Sequence, residues 1–355
     1  MSAVLETYEE VISDYKVPQN GTGALWCYGS PTIVRDGSKV FATVMEKSED
    51  VKPYCNTRYQ LFCREDGGGW RKVHVNDRFD EREPCPMARL SGGRIFISIN
   101  PGVRTYKYQE SECGELCWVC EPRLLEFDAR CPGNGPKKTL NPAWSEEHFF
   151  TQHSYRGIGA DSKNSEILLL NINNMPKGRE GLCWSFLDRN GEWSRSGYLE
   201  FPLRGCYPQV ALKNRKAYIM AISDVVEPNQ EWRKFKREYT GKEWDYDFRN
   251  LFLTYTPDIA AYDFSEAVTI ASREKTAGHI RNLDLWIDDC GDAHILYRER
   301  NIWQTYMRDR FFPGTPITVT LEYCRVRGLT VIEKRMIDGS VETEGGFIPE
   351  YCGAF

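Results

Sequence analysis

Residues Gly157–Ile172 read GIGADSKNSEILLLNI, and this stretch decides the fold. An apolar segment enters a polar turn at Asp161–Ser165 and a second apolar segment leaves it, which is the signature of an antiparallel hairpin. The pattern recurs at Thr32–Met45 (TIVRDGSKVFATVM), Ala88–Ile99 (ARLSGGRIFISI), Gln209–Ile222 (QVALKNRKAYIMAI) and Leu283–Tyr297 (LDLWIDDCGDAHILY). A second strand pair follows each: Tyr59–Val73, Leu116–Phe127, Leu182–Phe201, Leu251–Ile270 and Val319–Met336. Four short strands repeating every ~55 to 75 residues match one propeller blade with variable loops.

The expected fold is therefore all-β, a β-propeller of four-stranded antiparallel blades. Five blades are read here, and a sixth begins at Gly345–Phe355 (GGFIPEYCGAF). Residues 1–20 form a lead-in and 21–355 the propeller. Within the lead-in, Val4, Tyr8, Val11, Ile12 and Tyr15 recur at helical spacing, so a helix is expected over Val4–Tyr15. No other segment reads as a long amphipathic helix.

Composition narrows the class. A chain of 355 residues with 41% hydrophobic content can bury a large core, and 29 Gly and 18 Pro suit many turns. The net charge of −5 argues against a nucleic-acid partner, because phosphate binding draws on basic surface. No run approaches the ~18 apolar residues of a membrane span. Met1–Tyr15 is acidic where a secretory leader would be basic and then apolar, so a cytoplasmic monomer away from membranes is expected. Of 13 cysteines, Cys113, Cys117, Cys120 and Cys131 carry zinc-ligand chemistry. Strand alternation sends Cys117 and Cys120 to opposite faces, so neither a metal nor a cofactor is expected.

Propeller geometry then locates function. Innermost strands begin at the face that also carries the second-to-third strand loops, so these positions converge on one axial funnel. The strand starts bring Tyr28 and Ser30; Cys85, Met87 and Arg89; His153, Tyr155 and Arg156; Arg204, Tyr207 and Gln209; and His279, Arg281 and Asn282. Strand propensity alone would favour Val and Ile there. Two loops point the same way. Val225–Phe248 carries Trp232, Trp244 and Tyr246, with Arg249 next to it, and Pro101–Glu115 carries Arg104, Tyr106, Lys107 and Tyr108. Aromatic faces stack on sugar rings and Arg forks match carboxylates.

The stretches HSYRGIGAD (153–161), YDFRNLFLTYTPDI (246–259), GHIRNLDLWIDDCGDAHILYRE (278–299) and EYCGAF (350–355) resemble the BNR-repeat seven-bladed propellers. That group includes ulvan lyases and the lyases and hydrolases acting on L-rhamnose-α-1,4-D-glucuronate. The resemblance runs from about Gly29 to the end of the sequence. It implies seven blades at full length, a C-terminally truncated sequence here, and a uronate-containing oligo- or polysaccharide as substrate.

For such an enzyme the resemblance implies β-elimination with a funnel histidine as base, and position in the funnel then points to His153 as base, Tyr207 as acid and Arg281 or Arg249 as carboxylate clamp, with Asn282 assisting. Tyr155 and Tyr218 are alternatives for the acid. Tyr155, Arg156, Arg249, Tyr246, Trp244, His279 and Asn282 are the expected substrate contacts. Two other classes stay open: a glycoside hydrolase of α-L-rhamnosidase or sialidase type, and a non-catalytic carbohydrate-binding propeller.

Overall fold

The computed structural model describes residues 9–24, 26, 30–50, 54–107, 116–144, 147–174, 181–242, 246–343 and 346. Among them, five four-stranded antiparallel sheets follow one another along the chain. The first is built from β1 (Ile33–Asp36), β2 (Lys39–Lys47), β3 (Thr57–Glu65) and β4 (Arg71–Val75). The second uses β5 (Met87–Leu90) and β6 (Arg94–Ile99), detours through a separate hairpin of β7 (Gly102–Lys107) and β8 (Leu116–Cys120), and ends with β9 (Arg123–Asp128) and β10 (Lys138–Leu140). The third is β11 (Gly157–Asp161), β12 (Glu166–Ile172), β13 (Leu182–Leu187) and β14 (Trp193–Leu199).

The fourth blade opens with β15 (Gly205–Lys213) and β16 (Lys216–Ser223). An excursion of β17 (Val225–Val226), helix α1 (Gln230–Thr240) and β18 (Tyr246–Asp247) precedes β19 (Asn250–Thr256) and β20 (Val268–Ser272). The fifth is β21 (His279–Ile287), β22 (Ala293–Arg300), helix α2 (Thr305–Phe311), β23 (Thr318–Arg327) and β24 (Thr330–Val341).

Period-two alternation explains how the blades stack. On β16, Ala217, Ile219 and Ala221 pack toward the third blade while Tyr218, Met220 and Ile222 pack toward the fifth. On β6, Ile95, Ile97 and Ile99 face the first blade and Phe96 the third. Both strand faces are buried, which is why these strands read as nearly continuous apolar runs. Each consecutive pair of blades thus shares its own apolar cluster.

The inner strands β1, β5, β11, β15 and β21 neighbour one another in that order, as propeller blades do about an axis. Glycine permits the closest approach: a Cβ on Gly159 would lie 2.6 Å from Val210 Cγ1 and 3.1 Å from its carbonyl. Asp161 turns the β11–β12 hairpin by accepting from the Lys163 and Asn164 amides, and also accepts the Asn214 amide from the next blade.

Several expectations need correction. Residues 9–15, the described half of the expected lead-in helix, form no helix. Leu116–Phe127 is not the third-to-fourth strand pair; its first half is the outer strand of the β7–β8 hairpin, and β10 completes the blade. The 225–248 loop is organised around α1. Its Trp232 and Phe235 pack against Phe311, Phe312 and Tyr306 at and beyond α2. Cys290 is exposed in the β21–β22 turn. The incipient sixth unit lies, apart from Gly346, outside the described residues. Among the described residues no helix is long and apolar enough to cross a membrane.

Candidate functional site

One end of the axis gathers the inner-strand starts and the second-to-third strand loops. The Asp224 amide donates to the Arg204 carbonyl, the Ile280 amide to the Phe248 carbonyl, and the Gly102 amide to the Asp80 carbonyl. These bonds tie each strand start to a loop of its own or a neighbouring blade.

His153 stands at this end, ahead of β11. The next residue fixes it: the Ser154 hydroxyl donates to Glu83 Oε2 at 2.6 Å and the Ser154 amide lies 3.3 Å from both Glu83 oxygens. Glu83 also accepts from Arg82 Nη1 at 2.8 Å, and the same Nη1 lies 2.9 Å from His153 Nδ1. A guanidinium can only donate, so Nδ1 accepts, the imidazole is neutral and its proton sits on Nε2. Burial, then the charges of Arg82 and Arg204, push the His153 pKa down to about 3.

Arg204, whose charge acts on His153, also meets a pair of tyrosines. The Tyr155 and Tyr207 rings are 4.7 Å apart, and their hydroxyls are hydrogen-bonded to each other. Burial raises both phenol pKa values, so both stay protonated. Tyr207 is held at φ 50°, within an irregularity of the β15–β16 register between Cys206 and Gln209. Its carbonyl accepts from the buried Asn282 amide at 2.7 Å. A left-handed non-glycine residue costs ~1–3 kcal/mol and persists only where its surroundings fix it, and such strain concentrates at sites. Arg204 lies over the Tyr155 ring at 5.8 Å and pairs with Asp224 at 2.9 Å. His153, Tyr155 and Arg204 keep partial exposure, whereas Tyr207, Glu83 and Asp224 are buried behind them.

A second cluster lies toward the fifth blade. His279 stacks on Trp303 at 4.1 Å and approaches Phe248 at 5.5 Å. Burial, then Arg298, Arg281 and Arg300, hold its pKa well below the ordinary value. Arg281 therefore bears on His279, while His153 feels Arg82 and Arg204.

Arg249 and Arg156 are set differently from the substrate contacts expected. Arg249 is 1% exposed and forks onto Glu227, with Asp247 at 3.2 Å and Glu274 at 3.7 Å. Lys236 from α1 enters the same knot, 3.0 Å from Glu227 and 3.1 Å from Asp247. Burial pushes Asp247 up to about 7 while the cations hold Glu227 low. Arg156, 2% exposed, pairs with Glu81 at 3.3 Å and donates to the Glu83 and Pro84 carbonyls. As placed, both arginines brace the walls. Tyr246 is 47% exposed on β18, and Trp244 lies outside the described residues.

Sequence reading missed Arg82 and Glu83. The run Asp80–Glu81–Arg82–Glu83 looks like a solvated loop, yet Glu81, Arg82 and Glu83 are all buried. The available signal was a dense charge run immediately before an inner strand, since buried charges occur in pairs. Trp26 was missed too; its ring meets Tyr207 edge-on at 6.0 Å. Among the described residues no group of three or more His, Cys, Asp or Glu is arranged for a metal, and Cys113 lies outside them.

No family model matches this chain, and no curated protein matches it. Among solved structures it is similar to a PL25 ulvan lyase bound to -[GlcA(1-4)Rha3S]-, at 10% identity over 92% of this chain and 88% of that one, with a TM-score of 0.44. It is also similar to a thermostable family-43 glycoside hydrolase, at 11% identity over 88% and 93% of the two chains and a TM-score of 0.41. A third is the GH43 endo-arabinanase from Bacillus licheniformis, at 10% identity over 77% and 89% and a TM-score of 0.37. Likeness this distant assigns no residue a role, so the roles below rest on geometry.

Proposed function

We propose that this end of the axis is the active site of a carbohydrate-active lyase that cleaves uronate linkages by β-elimination. The observation that carries the reading is a neutral histidine held by Arg82, together with Arg204, whose charge acts on that histidine and which lies over Tyr155 of a hydrogen-bonded tyrosine pair. Elimination at a uronate needs a base for the C5 proton, an acid for the departing O4 and a cation on the carboxylate. As C5–H breaks, its electron pair forms the C4–C5 double bond, the C4–O4 bond breaks, and O4 takes a proton.

In this reading Arg204 and Arg82 meet the carboxylate. His153 accepts the C5 proton at Nδ1, the atom that Arg82 now caps. A carboxylate drawing Arg82 aside would free that lone pair and offset the charge that depresses the histidine, raising its basicity. The Tyr155–Tyr207 pair delivers the proton to O4. Arg281, His279 and Tyr246 would meet neighbouring sugar units.

The test is turnover of glucuronate oligosaccharides with a rhamnose neighbour, followed by the ultraviolet absorbance of the unsaturated product. His153→Ala should lower kcat by about 10²- to 10⁴-fold, the usual weight of general acid–base catalysis. Undiminished turnover in that variant would remove His153 from the chemistry. Free rhamnose without new absorbance would turn the assignment to a hydrolase, for which the buried Glu83 and Asp224 are the available carboxylates.

A further inference from the structure

Beside the histidine, two cysteines from different blades meet. Cys55 lies just ahead of β3 and Cys120 ends β8. Both are buried free thiols, hydrogen-bonded to each other. Gly102 makes room for the encounter. It sits directly across the β7–β8 pairing from Cys120, and a Cβ there would come within 3.2 Å of Cys55 Sγ. The flanking residues are those that wall the site. Tyr54, at φ 58°, packs 6.2 Å from the His153 ring and lies under the Arg82 guanidinium. The Cys120 amide donates to the Phe150 carbonyl, and its neighbour Val119 bridges to Thr151, two residues before His153.

We propose that Cys55 and Cys120 form a disulfide that staples the Tyr54 turn of the first blade to the β7–β8 hairpin of the second, behind His153. The inference is independent of the reaction assigned to the site. The oxidant is a small-molecule disulfide such as oxidised glutathione. One cysteine thiolate attacks it and expels a glutathione thiolate, and the other cysteine thiolate then attacks the mixed disulfide and expels the second. Two electrons pass to the reagent, and the two protons end on the released thiols. Because both sulfurs are buried, exchange proceeds while the chain folds or opens locally, and the finished bond is shielded from reduction.

The experiment refolds the full chain from denaturant in a buffer of oxidised and reduced glutathione. Remaining thiols are then blocked in acid and the digest is mapped without reductant. Expected is one cross-linked peptide joining Cys55 to Cys120, lighter by two hydrogens than the separate peptides and absent from Cys55→Ser and Cys120→Ser. The cross-linked chain should also resist urea better than its reduced form, by on the order of 10²-fold in the folding equilibrium. In the Cys55→Ser/Cys120→Ser double variant the redox buffer should change nothing. Recovery of both cysteines fully blocked, or of either joined to a different cysteine, would overturn the proposal.

Discussion

Acid should destabilise this protein through His153, and the size of the effect follows from its surroundings. The ordinary imidazole value is 6.5 and that of His153 in the folded chain about 3. With the folded value depressed, the unfolded chain binds the extra proton, so stability is lost as pH falls from about 6.5 toward 3. Within that window the slope approaches about 1.4 kcal/mol per pH unit, and the loss between pH 6.5 and 4.5 comes to about 2.3 kcal/mol. Glu81 and Asp247, each pushed up to about 7, act in the opposite sense. Their stabilising protons are lost as pH rises from the unfolded carboxylate range to about 7. The absolute curve therefore mixes signs, and the difference from a variant isolates the histidine. His153→Gln keeps an oxygen that can accept from Arg82 and removes the titration. Urea unfolding followed by tryptophan fluorescence, at about pH 7, 6, 5 and 4.5, should show the wild type losing about 2–3 kcal/mol more than the variant. Parallel losses in the two proteins across that range would refute a histidine held neutral beside Arg82 and Arg204.

Other expectations can be checked on the same instrument. Gly159→Ala drives a Cβ into Val210 and should cost about 1–3 kcal/mol; adding Val210→Ala should recover part of this, and strict additivity would contradict the tight approach of β11 and β15. Lys236→Met takes from Glu227 and Asp247 one of the two cations they share, leaving Arg249 alone between them, and should destabilise by about 3–5 kcal/mol, measured as a shift in urea midpoint. Asn282→Leu leaves the Tyr207 carbonyl without its donor, costing about 1–3 kcal/mol, and should lower kcat more than it raises KM as the tyrosine turn loosens.

The blades were legible because burying a strand on both faces writes a plain pattern. Lys216–Ser223 (KAYIMAIS) admits little but a central strand, and its turn at Asn214–Arg215 is correspondingly clear. Helix α1 was not, although Trp232, Phe235, Lys236 and Tyr239 fall at helical spacing. One of those four is a lysine, and its burial depends on Glu227 and Asp247 lying on either side of the helix in sequence. Topology could place His153, Tyr155 and Tyr207 at one end, since strand starts follow from hairpins. It could not pair them. Arg82 reaches His153 across 71 positions and Glu81 reaches Arg156 across 75, distances at which no local rule operates. Whether a charge run is solvated or interred is decided by what the rest of the chain brings to it.

The edge-on contact of Trp26 with Tyr207 carries a consequence for how the protein is made. The two rings are 181 residues apart in sequence. At a synthesis rate of ~5–20 residues per second, the tryptophan waits about 10–40 s for its partner to emerge. During that interval the first blades can pair their own strands, each cluster closing as the next sheet arrives. The indole meanwhile has no tyrosine to rest against, and Ser30 has no Arg156 carbonyl to bind. Trp26 and Ser30, made ahead of the first blade, are thus among the last residues to find these partners, and a ribosome stalled before the fourth blade would display the indole to any chaperone that reads exposed aromatic side chains.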